Sequence, residues 1–328
     1  MINRAILYSK FIRYDELSNM MRQVPSVMEL GKGGIEVCNI YIDIQSIYKD
    51  VLANEILPED NKTIAINILN MAAHYRHFFR NALKKDVCVY LVNSRSTIDG
   101  NIAVMQNHAN EISIYNLVEV LCRYIPRLYY IRRTRINACA VIYSLIKDNT
   151  LNDSHLIISN DIYANQLPTL FNNTIVLRVG SKHKYFVTVN TAIYGCFKNT
   201  TVTDLPPTLI PIIMAFNKCA DLGVTLMYPY KTALKKVKEL ADSNTIYLGY
   251  NAMTPSVDDK KGFFKGFYSR WRVCDLVQVA QEYINSPDIL DTTWQVKRQC
   301  DFRELASIID EKINSFPDNV INYIFLLE

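Results

Sequence analysis

The stretch Ile157-Ile158-Ser159-Asn160-Asp161-Ile162-Tyr163-Ala164-Asn165-Gln166-Leu167 decides the fold. Taken with His155 and Leu156, its first half is short, apolar and β-branched, the pattern of a buried strand, and it ends at Asn160-Asp161. Val37-Cys38-Asn39-Ile40-Tyr41-Ile42-Asp43, after the glycine-rich break at Gly31 to Gly34, has the same form: a buried strand closed by a carboxylate. Val87 to Val92 and Leu128 to Ile131 predict two more strands, and Thr174 to Val179 a fifth. Between them, Ile64, Ile68, Met71, Ala72, Tyr75, Phe78, Phe79 and Leu83 follow helical spacing, with Lys84 and Lys85 at the negative helix end. Further helices are predicted over 112–124 and 137–147, and the polar run 94–111 reads as an exposed excursion. Strands alternating with helices of this length imply β-α-β units: an α/β fold with a mainly parallel central sheet flanked by helices. Any ligand site then lies at the carboxyl ends of the strands, where Asp43 and Asp161 stand.

After a hairpin-like segment over 184–192, Leu205-Pro206-Pro207 starts a helical second half. The expected organisation is an N-terminal extension (1–36), an α/β domain (37–203) and a helical C-terminal region (204–328). With 328 residues, 49% hydrophobic and 21% charged, the chain can bury a full core. A net charge of +4 permits nucleic acid as a partner without demanding it. The eight cysteines form no Cys-x-x-Cys pair and no zinc spacing with histidine, so buried reduced thiols are expected. Apolar runs such as Leu209 to Phe216 are far shorter than the roughly 20 residues that span a bilayer. With no cleavable leader pattern either, the expectation is a protein that is neither secreted nor membrane-bound.

Several segments, in the right order, resemble the 5′-nuclease family of flap endonucleases, polymerase-associated 5′-3′ exonucleases and phage RNase H. Residues 157–167 resemble the family's I-(I/V)-S-x-D-x-D-x-x-Q-L strand and turn. Asn137-Ala138-Cys139-Ala140-Val141-Ile142-Tyr143-Ser144-Leu145 has the frame of its E-A-D-D-x-I-A-x-L helix. Ile213 to Asp221, followed by Tyr230-Lys231-Thr232-Ala233, resembles the helix-hairpin-helix region. The strand at Asp43 matches the first motif, and Trp271-Arg272-Val273-Cys274-Asp275-Leu276 is similar to a later W-x-x-I-D-L segment. The resemblance implies a PIN-like 5′-nuclease fold with a helix-hairpin-helix-like C-terminal part.

The same resemblance shows what is missing. Family members hydrolyse phosphodiesters with divalent cations held by a ring of carboxylates. The second strand ends Val92-Asn93-Ser94 where the family has an acid, and the helix motif carries Asn137, Cys139 and Ala140 at its acidic positions. Tyr163 replaces the second acid of the strand-and-turn motif, and Lys218 replaces the first acid of the hairpin region. Asp43, Asp161 and Asp221 remain as vestigial metal-site candidates. A single hydrated Mg²⁺ is conceivable there and a two-ion mechanism is not, so neither a cofactor nor a catalytic residue is expected. Lys218 would place a positive charge near the old site. The hairpin glycines that admit close phosphate approach are replaced by Met227-Tyr228-Pro229-Tyr230.

Candidate contacts to nucleic acid or to a protein partner are Arg132, Arg133 and Arg135 in a strand-to-helix connection, and Lys231, Lys235 and Lys236 on a helix face. Arg270, Trp271 and Arg272 close an aromatic and cationic run that begins at Lys260. His74 and His77, one helical turn apart, read as a surface pair because no nearby acid or cysteine completes a metal set. The expected role is a degenerate, phage-type nuclease scaffold reused in a larger assembly of protein partners, in the host cytoplasm or the virion. A replication accessory that binds branched or single-stranded nucleic acid, or a weakly active nuclease using Asp43, Asp161 and Asp221, are the alternatives.

Overall fold

The structure, a computed structural model, describes residues 37–47, 72, 75–76, 87–95, 127–134, 136–149, 153–171, 173–179, 184–187, 209–216, 231–232, 235, 237, 267–284 and 292–294. The predicted helices over 61–83 and 112–124, the histidines His74 and His77, and Lys218, Asp221 and 227–230 fall wholly or largely outside these residues. Of the first helix, Ala72, Tyr75 and Arg76 are described, helical and buried.

By density of contacts the chain divides into two compact units, 1–160 with 173–186 and 288–328, and 161–172 with 187–287. The first unit holds the sheet. Strand β1 (Val37–Asp43) leads into the single-turn helix α1 (Ile44–Ile47), and β2 (Cys88–Arg95) and β3 (Leu128–Thr134) follow. Helix α2 (Ala138–Asn149) precedes β4 (Ser154–Ile158), and β5 (Thr174–Val179), β6 (Lys184–Val187) and β7 (Thr292–Trp294) complete the strands. The strand order is β6-β5-β4-β1-β2-β3-β7. The pairings from β5 across to β3 are parallel, and β7 runs antiparallel on the outer edge of β3.

The central strands are buried on both faces, which explains why they read as continuous apolar runs instead of alternating ones. In β1, Ile40, Tyr41 and Ile42 are all inaccessible to solvent although consecutive side chains point to opposite faces. One face carries Ile40, Ile42, Val89, Leu91, Tyr130, Leu156 and Ile158 in register across four strands. On the other, Tyr41, Tyr90 and Tyr129 stack in a ladder with ring centroids 4.8 Å apart at each step. Burial pushes the Tyr90 hydroxyl well above the ordinary tyrosine range and raises that of Tyr129 in the same direction.

The strand predictions hold with shifts of a residue or so at most ends; β2 runs on from Val92 to Arg95, which takes buried Ser94 out of the expected exposed excursion, and β3 is extended likewise. It continues through Arg132 and Arg133, which pair with Asn93 and Ser94 of β2, so these arginines belong to a strand and not to a connection after it. The register explains the extension: ladder bonding continues as long as β2 lies alongside.

Strand order also fixes where a site can form. From β1 the chain moves to β2 and β3 on one side, then returns through α2 to β4 on the other side of β1. Adjacent connections leaving β1 and β4 in opposite directions open a crevice at their carboxyl ends, the usual ligand position in a parallel sheet.

In the second unit, a 3-10 turn (Ile162–Gln166) runs into the short helix α3 (Leu167–Leu170), and helices α4 (Ile210–Phe216), α5 (Phe267–Cys274) and α6 (Leu276–Ile284) follow. Gln166 ties this unit to itself. Its Nε2 donates to the Cys274 carbonyl at 2.7 Å and its Oε1 accepts from the Leu276 amide at 3.1 Å, spanning the break between α5 and α6. Asp275 sits in that break and caps α6, its Oδ1 accepting from Val277 N–H at 2.8 Å and Gln278 N–H at 3.3 Å.

Candidate metal centre at the ends of the first and fourth strands

Asp43 closes β1 with only 1% of its surface exposed. A carboxylate so placed is costly unless its oxygens find donors. Both do: Ser159 Oγ donates to Oδ2 at 2.7 Å, and the Ser46 N–H in α1 donates to Oδ1 at 3.1 Å. The Ser46 hydroxyl stands 3.2 Å from the Ser159 hydroxyl, donates to the Asp43 carbonyl at 3.2 Å and accepts from the Asn160 N–H at 3.0 Å. These bonds lock the end of β1 to the end of β4, and the pair of serines is the clasp.

Cys139 enters from the first turn of α2. That helix begins after Ile136, where Asn137 acts as the cap, its side-chain oxygen accepting from the Cys139 N–H at 2.7 Å. Its carbonyl takes the first helical bonds, from Ala140 and Val141. The buried Cys139 sulfur lies 3.9 Å from Ser159 Oγ, within sulfur hydrogen-bonding reach. Asp161 follows Asn160 by a peptide bond, so the end of β4 sets its position. Its Oδ1 accepts from Tyr163 N–H at 2.8 Å and caps the 3-10 turn. Arg178 of β5 donates to the Asn160 carbonyl and steadies the same turn.

One ligand atom each from Asp43, Cys139 and Asp161 lies within 4.8 Å of the others. Two carboxylates and a thiol this close, two of the three groups buried, make a strongly electron-rich spot that a cation would neutralise. The group could hold a metal ion. Of the three vestigial acids, Asp43 and Asp161 belong to this group and Asp221 lies outside the described residues, while Cys139 is a member that reading the sequence for acids overlooks. The signal was present: Cys139 occupies an acidic position of the helix frame, and sulfur is itself a metal ligand.

The donor set does not fit a Mg²⁺ pair. Mg²⁺ demands near-octahedral oxygen coordination, and a pair needs several bridging carboxylates. Around the described site the corresponding positions are committed elsewhere. Asn93 donates to the Tyr130 hydroxyl at 2.7 Å, Asn137 caps α2, and the Tyr163 hydroxyl donates to the Val273 carbonyl. Ala140 has no donor atom at all.

The basic candidates are distributed as follows. Arg133 is buried in β3, with 7% of its surface exposed, and so is not displayed to a phosphate backbone, and Arg132 lies in the same strand. Arg135 and Lys236 lie outside the described residues. Lys231 and Lys235 are exposed on a helical stretch whose Val237 is buried. In α5, Arg272 is exposed, Arg270 is half-buried and donates from Nε to the Ala215 carbonyl at 2.8 Å, and Trp271 is buried, which withdraws it as a stacking platform.

No model of a known protein family matches the chain, and no curated protein matches it. Solved structures do. Human GEN1, in a complex with Holliday junction DNA, superposes with a TM-score of 0.52 at 12% identity, over 88% of this chain and 71% of the GEN1 chain. The catalytic core of Rad2 gives a TM-score of 0.42 at 14% identity, over 90% of this chain and 93% of that one. The parallel sheet, the acids at the ends of β1 and β4, and the match to GEN1 lead to one conclusion: the chain has the 5′-nuclease fold.

Proposed function

We propose that this is a catalytically degenerate 5′-nuclease-fold protein that serves as a non-enzymatic component of a larger assembly, a bacteriophage particle in the reading that the phage-type resemblance favours. The observation that carries it is the fate of the acidic positions. Two-ion hydrolysis needs clustered carboxylates to hold both cations, activate water and stabilise the leaving oxygen. Here Asn93, Asn137 and Tyr163 spend their polar groups on Tyr130, a helix cap and the Val273 carbonyl, while Cys139 supplies sulfur where oxygen would be needed. What is left is a well-bonded scaffold around Asp43.

The test is incubation with flap, single-stranded and four-way branched DNA in Mg²⁺ and in Mn²⁺. No cleavage above background is expected. Metal-dependent cleavage that disappears in Asp161→Ala would overturn the proposal. Presence at fixed stoichiometry in purified particles would support the assembly role directly. A nucleic-acid-binding role without cleavage is the second reading, favoured by exposed Lys231, Lys235 and Arg272 and by the likeness in fold to GEN1, whose structure contains Holliday junction DNA.

A further inference from the structure

From Phe267 to Ile284 the sequence contains neither glycine nor proline, and a single residue, Asp275, separates α5 from α6. Helical bonding runs up to the gap from both sides. The Asp275 N–H donates to the Trp271 carbonyl at 2.9 Å and the Val279 N–H to the Asp275 carbonyl at 3.0 Å, each the four-residue step of an α-helix. A break without glycine or proline arises where a side chain enters the ladder. The side chains that do so here, Tyr163, Gln166 and Asp275, lie with both helices in the second compact unit.

In an unbroken helix the Val277 N–H would donate to the Val273 carbonyl and the Gln278 N–H to the Cys274 carbonyl. Each of these four groups is bonded instead to a side chain. Asp275 Oδ1 accepts from both amides, the Tyr163 hydroxyl donates to the Val273 carbonyl, and Gln166 Nε2 donates to the Cys274 carbonyl at 2.7 Å. Gln166 Oε1 also accepts from the Leu276 N–H at 3.1 Å, so one side-chain amide bridges the gap as a peptide group would. Met214 of α4 backs that amide, its sulfur 3.8 Å from Nε2. All three inserted side chains are buried, which shields these bonds from competition by water.

We infer that Tyr163 and Gln166 are a clamp that holds open a helix which the local sequence would continue, making residues 267–284 a two-state element whose broken state is selected by the turn after β4. Asp275 is the local contribution to the break, and it serves the first amides of α6. The last carbonyls of α5 are served by the turn, from 108 to 110 residues away in sequence. Release of the clamp takes a donor from each carbonyl, and the amides placed to replace it are those of Val277 and Gln278, one helical turn on. Tyr163 stands where the family resemblance implies an acid, and the shorter side chain of an acid ends well before the reach of a phenol. The same position thus gives up a metal ligand and supplies half of the clamp. The device is independent of whether the protein cuts nucleic acid.

NMR of the full-length, isotopically labelled chain tests this in Tyr163→Phe and in the double variant Tyr163→Phe with Gln166→Leu. The Asp275 Cα shift reports backbone conformation at the break, and hydrogen exchange of the Val277 and Gln278 amides reports whether they are bonded. In the double variant the Asp275 Cα resonance should move downfield, toward helical values, while the two amides stay as protected as in the unaltered protein. Side chains that merely stabilise a locally encoded break predict the opposite: a resonance that stays in place or moves toward coil values, and faster exchange at both amides. Either of those results overturns the inference. Tyr163→Phe removes only a hydroxyl and should shift the Asp275 resonance in the same direction by a smaller amount. Where the double variant does not fold, this single variant decides the question, and an unmoved resonance there overturns the inference.

Discussion

Single residues in this protein show how burial, more than formal charge, sets chemistry. Asp275 is an acid 4% exposed at the break between α5 and α6. Burial pushes its carboxyl above 3.8, and the bonds from Val277 N–H, Gln278 N–H and the Trp271 side chain pull the other way without cancelling it. A carboxyl raised in the folded state binds its proton more tightly there than in the unfolded chain. Stability from this group is therefore full below the unfolded value and declines as pH climbs from about 4 toward the raised folded value. Asn caps a helix as well as Asp does and carries no charge. Asp275→Asn should flatten that decline and leave the protein at least as stable at neutral pH, whereas Asp275→Ala should cost about 1 kcal/mol through loss of the cap. Urea unfolding across the acid range distinguishes these outcomes, and a steeper decline in the Asn variant would contradict the account.

At the scale of elements, α2 illustrates how a scaffold keeps its shape after its chemistry changes. Asn137 stands where the resemblance expects a glutamate, and it starts the helix by accepting the Cys139 N–H. Loss of that cap in Asn137→Ala should destabilise by about 1 kcal/mol, and Asn137→Asp should restore it, because both residues serve equally at this position. The sheet offers a parallel case. The Tyr41-Tyr90-Tyr129 ladder lies on the face opposite Ile40 and Ile42, and its stacked rings add packing beyond area burial, about 0.5–1.5 kcal/mol per pair. His155 continues the row, its ring 5.7 Å from that of Tyr41.

For the whole molecule the question is what the surface can grip. A net charge of +4 over 328 residues is too small for a strong electrostatic field. Of the candidate cations, Lys231, Lys235 and Arg272 are exposed, while Arg133 is buried and Arg270 is partly engaged by the Ala215 carbonyl. Carried by these described cations alone, binding to a branched duplex should be weak and only mildly salt-dependent. Three phosphate contacts correspond to a slope of log affinity against log salt of about −3. A slope near −10, measured by fluorescence anisotropy from low to physiological salt, would favour the nucleic-acid-binding reading over the assembly role.

Much of this architecture was legible beforehand, and the reason is local. Apolar runs such as Val37 to Asp43 and His155 to Ser159 declare buried parallel strands because both their faces must be covered, and the order of strands and helices then restricts the sheet. The terminal acids Asp43 and Asp161 followed from the same rule. The extension of β3 through Arg132 and Arg133 was not legible, since it depends on the length of β2 alongside. Nor was β7, whose three residues pair with β3 across most of the chain and carry no local mark. Cys139 is the clearest case. Its sequence position showed a missing acid, but whether a thiol there is inert core or a ligand depends on distance. Only the folding of α2 beside the ends of β1 and β4 brings its sulfur within 4.8 Å of ligand atoms of Asp43 and Asp161. Residue type set which bonds could form, and tertiary proximity decided which of them the molecule can make.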